Sequence, residues 1–333
     1  MNMRQLAKLA GVSASTVSKA FSGSREISDE TKQKIFAIAK ENGVFDIYNK
    51  NSFEKYIIGV ICPEINNDYY IKVVTLLDRE IRAHNGIMLL SLSHFERSIN
   101  EQFSYFVSYC KVDGIIAITP KANLKNPSLV PAVAIHDKHT HVGVDSMRVD
   151  LYSSVEKAIL RLKELGHADI GFVDEKAVST KRGCYETAMR KAGLAVRDDM
   201  IKISKRRFEE TGAHAVDMWV SEGTIPTAIL AGYDSIAIGI ITRLKKYGIR
   251  VPEDVSVVGM DDTDIAAFFS PTLSSIHMYM AEACHKAMEV IMKKIDNQYY
   301  SPHENIVIPT EFIERNSIGP VTQNKIQAIK TNE

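Results

Sequence analysis

Residues 13–19, Ser-Ala-Ser-Thr-Val-Ser-Lys, bring hydroxyls and an ammonium together on a stretch with almost no bulk. Wound as a helix, this stretch turns Thr16 and Val17 inward with Ala20, and leaves Ala14, Ser15, Ser18 and Lys19 outside. Small outward residues let a helix sink into a DNA major groove about 12 Å wide. There a Ser15 hydroxyl can hydrogen-bond a base edge and Lys19 can reach a guanine or a phosphate. Ala14, Ser15, Thr16, Ser18 and Lys19 are therefore the candidate DNA contacts.

The flanking residues supply what would hold that helix in place. Leu6, Ala7, Leu9 and Ala10 give a preceding helix one apolar side, and Gly11 can take the left-handed conformation that stops it. Ser13 stands where an N-cap belongs. Ser28-Asp29-Glu30 opens a third helix whose Ile35, Ile38 and Ala39 would cover the first two, and Gly43 ends it. The layout is a helix-turn-helix; a plain three-helix domain that binds protein is the competing reading. Charge separates the two. The first fifty residues hold eight Lys/Arg against five Asp/Glu, whereas the whole chain is balanced at 41 against 41, so the surplus sits where phosphates would be met.

This segment resembles the amino-terminal domain of the lactose/galactose repressor (LacI-type) family of bacterial transcription regulators, which carries AGVS-x-x-TVS as a signature. Further matches follow in order: ISDETKQKI at 27–35, LGHADIGFV at 165–173 and GIRVPEDVSVVGMDD at 248–262, with the likeness running to about residue 318. The resemblance implies an all-α helix-turn-helix DNA-binding domain followed by an α/β, two-lobed, periplasmic-binding-protein-like (type I) effector domain. It also implies a homodimer on double-stranded operator DNA, controlled by a small molecule, and no enzymatic activity, metal or cofactor.

Composition agrees with that plan. At 333 residues, with 45% hydrophobic and 25% charged residues, the chain is long enough for two or three domains around substantial cores. No apolar run reaches the roughly 18 residues of a membrane span, and the chain starts on polar helix sequence, so the expected location is the cytoplasm. The four cysteines are widely spaced, without a CxxC pair, and read as reduced thiols. Lys181 and Arg182 stand just before Cys184 and could lower its pKa, with a buried packing role as the alternative.

Four domains are expected: a head at 1–45, a linker at 46–55, a two-lobed core at 56–320 and a tail at 321–333. Apolar runs at 87–93, 114–119, 132–135, 170–173, 228–231 and 255–259 alternate with helical segments, the pattern of parallel sheets covered on both faces. Strands up to about 149 would build one lobe and those from Ile170 the other. The chain is expected to cross back near 271–275 and to return a strand to the first lobe at 304–308. The tail has no leucine heptads and so no coiled-coil extension is expected.

In the cleft between such lobes the resemblance implies effector contacts from Tyr69 and Tyr70, the aromatic pair opening the first core helix, and from Asp261. A carboxylate suits hydroxyl donors because it offers two acceptor oxygens. Packing is the alternative role for the tyrosines, above all Tyr70, and capping the alternative for Asp261. Asp262 and Asp234 are expected to cap the helices that follow them. Several family positions depart from pattern. Lys181 stands for the usual arginine, Cys184 for a glycine, Tyr233 for an asparagine and Met278 for a polar residue, while Arg206 and Arg207 flank the aromatic Phe208. Lysine keeps the charge but loses the bidentate fork. Lys181, Arg207 and Tyr233 thus join the effector candidates; these departures argue against a lactose-like ligand and for a sugar or a phosphorylated sugar, with a negatively charged or phosphorylated compound to be tested.

The linker departs most. VFDIYNKNSF at 44–53 lacks the proline, Ala-Arg and leucine of the family's hinge helix, leaving Ile47 or Phe53 as substitute minor-groove wedges or a plain flexible connection, and weaker DNA bending is expected. A transporter's solute-binding protein shares the two-lobed core, but the leading DNA reader argues against it. An enzyme would need a nucleophile or acid/base pair; Asp261 with His277, or Cys184 with Lys181, fits no catalytic motif.

Overall fold

A computed structural model describes residues 1–22, 24, 26–49, 56–94, 98–119, 130–136, 144–175, 180–296 and 303–321. The head packs α1 (Met3–Ala10), α2 (Ala14–Phe21), α3 (Asp29–Glu41) and α4 (Phe45–Asn49) around buried Leu6, Val17, Phe21, Ile35 and Ala39. Its ends are built as the sequence implies. Asn2 and Gln5 form a capping box on α1, Gly11 stops that helix at φ 68°, and the hydroxyls of Ser13 and Ser28 accept the amides of Thr16 and Thr31. The helix α4 falls at the expected linker boundary: Phe45 and Tyr48 pack on Phe21 and Phe36, with ring centroids 5.4 Å apart for Phe36–Phe45 and 5.7 Å for Phe21–Tyr48.

Among the described residues the core consists of two parallel-rich sheets of six strands each. The first lobe contains β1 (Tyr56–Cys62), α5 (Asp68–Ala83), β2 (Gly86–Leu92), α6 (Ile99–Tyr105), β3 (Gly114–Ile118), β4 (Ala132–His136) and β5 (Asp145–Val149). The second contains α7 (Leu151–Glu164), β6 (Ile170–Glu175), α8 (Thr180–Lys191), β7 (Ile201–Ser204), α9 (Phe208–Glu222), β8 (Ala228–Ala231), α10 (Asp234–Lys246), β9 (Ser256–Asp261), α11 (Asp264–Phe268) and β10 (Ser274–Met278). The chain then returns through α12 (Met280–Asp296) and β11 (Asn305–Ile308) to the first lobe, and ends on β12 (Thr310–Ile313) in the second. Strand orders are β11-β5-β4-β3-β1-β2 and β12-β10-β9-β8-β6-β7, and every pairing is parallel except that of β10 with β12.

Continuous apolar strands such as β3, β4 and β8 are buried at every position because helices cover both sheet faces. The return crossing differs from the one expected at 271–275. Those residues lead into β10, which pairs with β9 in the second sheet, so the chain passes back at Tyr279 instead. Asp150, Tyr279 and Pro309 are thus the joints between lobes. The expected return of 304–308 to the first lobe is met by β11 on β5.

The signature at 165–173 has a structural explanation. His167 is buried, and its Nε2 lies 2.9 Å from the Gly319 carbonyl and 3.0 Å from Ser256 Oγ, tying the C-terminal segment to β9. Burial lowers its pKa, which keeps the imidazole neutral. No helix among the described residues is long and apolar enough to cross a membrane.

Candidate functional site

On α2, the residues read as DNA contacts divide by burial. Ser15, Ser18 and Lys19 are exposed, and Thr16 is half-buried with its hydroxyl 2.8 Å from that of Ser13. Ala14 departs from the outward placement expected: it is half-buried and packs on the head's core, because the first turn of α2 leans on α1. Lys19 forms an ion pair with Glu26, an exposed contact that a phosphate can replace. Of the two candidate wedges, Ile47 is 62% exposed on α4, and Phe53 lies outside the described residues.

Between the lobes, Tyr69, Tyr70, Lys181, Tyr233 and Asp261 come together around one cavity of about 60 Å³. It adjoins a chamber of about 410 Å³ that shares Tyr69 and Asp261 and adds Asn66, Ser235, Phe208 and Phe269. The chamber falls in the range of small-molecule sites. Tyr70 is buried and meets Tyr69 edge-on at 5.2 Å, and Tyr69 lines both spaces. The Lys181 ammonium donates to the Gly232 carbonyl and lies 3.6 Å from the Tyr233 ring centroid, a cation–π contact at the cavity wall. Met278 also lines the cavity.

Asp261 ends β9 with φ at 108°, a backbone state that L side chains rarely adopt, and Asp262 follows at 49°. Burial pushes the Asp261 carboxyl well above its ordinary range; Lys181 opposes that rise, and Asp234 and Asp174 add to it. Neither Asp234 nor Asp262 caps its own helix. Asp234 accepts from Thr263 N and Oγ1 and from Ser275 Oγ, and burial pushes its pKa up to about 6. Asp262 binds His277 Nδ1 at 2.9 Å and Arg315 at 2.7 Å, so His277 faces the wrong aspartate for the pair an enzyme would use. Cys184 is buried in the core. Burial also raises Cys62 and Cys284 to about 12, which keeps both as thiols.

Arg207 does not line the cavity. Its guanidinium pairs with Glu64 of the first lobe and, at 2.7 Å, with Glu175 of the second, while Arg206 pairs with Glu210. The guanidiniums read as ligands for an anion are engaged by carboxylates. A second pair, Lys72–Asp264 at 3.5 Å, joins α5 to α11 across the same cleft.

Sequence reasoning missed Glu64, Thr119, His136, Asp174 and Glu175, all buried near the cleft. They share one signal. Each stands at or just beyond the carboxyl end of a strand, where open α/β sheets place their ligands. Among the described residues no cluster of three or more His, Cys, Asp or Glu side chains is arranged to hold a metal ion.

A cationic helix-turn-helix head joined to two doubly wound lobes around a cleft defines a DNA-binding transcriptional regulator with a ligand-binding core. Residues 2–43 match the profile of bacterial regulatory proteins of the lacI family, and residues 159–318 match the periplasmic binding protein-like domain. The chain therefore joins a lacI-family helix-turn-helix domain to a periplasmic-binding-protein-like domain. It is 26% identical to the ribose operon repressor of Haemophilus influenzae over 95% of this chain and 98% of that protein. It is equally 26% identical to the HTH-type transcriptional repressor PurR of Pectobacterium carotovorum, over 95% and 96%. The lac repressor dimer bound to operator and the anti-inducer ONPF superposes with a TM-score of 0.73 at 20% identity, covering 95% of this chain and 98% of that one.

Proposed function

We propose that the chain works as a homodimer on a near-palindromic operator, in the cytoplasm where that DNA is, as a repressor whose grip responds to a neutral, sugar-sized effector bound between the lobes. Ser15 and Ser18 face base edges and Lys19 the backbone, and two heads one helical turn apart match half-sites of that spacing. The observation that carries the effector class is the cleft's composition. Tyrosine faces and the Asp261 carboxylate meet in one cavity; among the described residues Lys181 is its one lysine or arginine lining, and the adjoining chamber is lined by Asp68, Glu209 and Asp261 without a lysine or arginine. Aromatic faces suit the apolar side of a sugar ring, carboxylate oxygens accept from its hydroxyls, and an acidic chamber repels phosphate. Two relatives accord with that class: the Haemophilus influenzae protein is named a ribose operon repressor, and an Enterococcus faecium family member was solved with bound ribose.

Ligand and operator affinities are coupled because closing or opening the lobes changes how the two heads are held, and the coupling is reciprocal. Isothermal titration of the purified protein with ribose, glucose, galactose and cellobiose, and with ribose 5-phosphate and glucose 6-phosphate, tests the class. A neutral sugar binding at least tenfold tighter than either phosphate is the expected result; preference for a phosphate refutes the neutral class.

A further inference from the structure

We propose that Asp234 is a positioning residue of the effector site, holding the Asp261–Thr263 turn in the strained shape that presents the Asp261 carboxylate to ligand. The inference rests on the effector reading of Asp261 given above.

Three elements converge on Asp234. Although it is the first residue of α10, its oxygens point across to the turn after β9 rather than to its own helix amides. Oδ2 accepts from the Thr263 amide at 2.7 Å and the Thr263 hydroxyl at 2.9 Å, while Oδ1 accepts from Ser275 Oγ on β10 at 2.6 Å. Having donated its single proton to Asp234, the Ser275 hydroxyl accepts from the Asp262 amide at 3.1 Å. One carboxylate therefore fixes, directly or through one hydroxyl, the amides of both residues that follow Asp261.

That restraint is placed where the backbone needs it. Asp261 and Asp262 are consecutive non-glycine residues at φ 108° and 49°, a strained conformation that persists only where the surrounding structure imposes it. A carboxylate serves better than an amide because every group it meets is a donor; an asparagine would turn its own NH₂ toward one of them. The sequence also clears room for it: a Cβ on Gly259 would lie 2.2 Å from Asp234 Oδ1.

The test compares Asp234→Asn, Thr263→Val and Thr263→Ser in the full-length protein. Residue-resolved amide exchange is read at Asp262 and Thr263, with Val257 and Val258 of β9 as internal controls. Affinity is read with whichever of ribose, glucose, galactose or cellobiose binds wild type tightest. Exchange at 262 and 263 should rise at least tenfold in Asp234→Asn while the β9 amides stay within twofold, and sugar affinity should fall at least tenfold. Thr263→Val should lose part of both, and Thr263→Ser should restore both. Should Asp234→Asn fail to fold, the threonine pair decides alone.

Unchanged exchange at the turn overturns the proposal, and so does a loosened turn with sugar affinity within twofold of wild type. If wild type binds none of the four sugars, the effector reading fails first and the positioning role falls with it.

Discussion

Lys181 is the residue on which the cleft's electrostatics turn. Its ammonium opposes the rise that burial and the acidic neighbours Asp234 and Asp174 impose on the Asp261 carboxyl. The sign follows from the raised pKa: as pH falls, Asp261 takes a proton and loses acceptor capacity, so effector binding weakens toward acid. In Lys181→Met that weakening should begin at higher pH, as read by titration calorimetry in steps from pH 8 to 5; an unmoved profile contradicts the account. On the head, Ser15→Ala should relax preference at one base position. Lys19→Ala should weaken binding to all sequences alike and lower the slope of log affinity against log salt by about 1. Fluorescence anisotropy with operator and mismatched duplexes separates the two, and a sequence-specific loss from Lys19→Ala would be contrary. Single residues were the most legible layer where a motif named them. Tyr69, Tyr70, Lys181, Tyr233 and Asp261 do line one cavity, whereas Arg207 could not be placed, because nothing near it in sequence shows that Glu64 and Glu175 fold up against it.

At the level of elements, legibility followed hydrophobic pattern and failed where a central strand carries charge. The strand β5 reads DSMRV, yet it is interior to its sheet, because Asp145 is satisfied by Lys294 Nζ at 2.6 and 2.8 Å and by the Glu304 amide at 2.7 Å. The edge strand β7, IKIS, was missed for a related reason: it is short, and Lys202 reaches out to Glu222. Helix α4 escaped notice since five residues carry no period; its packing comes from rings contributed by α2 and α3. The helix pair α9/α10 makes a sharper claim. The backbones cross so closely that a Cβ on Gly239 would sit 2.1 Å from the Glu209 carbonyl, and one on Gly212 2.1 Å from that of Ile236. Backbone atoms cannot step aside as side chains do, so Gly239→Ala should cost about 1–3 kcal/mol or more. A urea melt showing no loss of stability would refute the crossing.

Across the whole molecule, the cleft is held from both sides by charge. Arg207 links Glu64 of one lobe to Glu175 of the other, and burial raises the Glu175 carboxyl, with the Phe208 amide and Arg207 opposing that rise. Removing the guanidinium leaves two carboxylates facing across the gap, so Arg207→Ala should favour separated lobes. Small-angle scattering of the sugar-free protein should show a larger radius of gyration for the variant than for wild type, and an identical curve would deny the clasp a role. The two-lobed plan was legible from alternating runs and from four ordered motifs. The crossing at Tyr279 was not, because β10 reads equally well as the last strand of either lobe until its pairing with β9 is known. The central claim is that the head selects a sequence and the cleft governs that selection. Its most direct test is selection of duplexes from a randomised pool by the purified protein, followed by competition at moderate salt with and without the sugar that binds best. The account predicts a near-palindromic site bound at least about a thousandfold tighter than random competitor, with an affinity that shifts when the sugar is added. Equal binding to selected and random duplexes would contradict it.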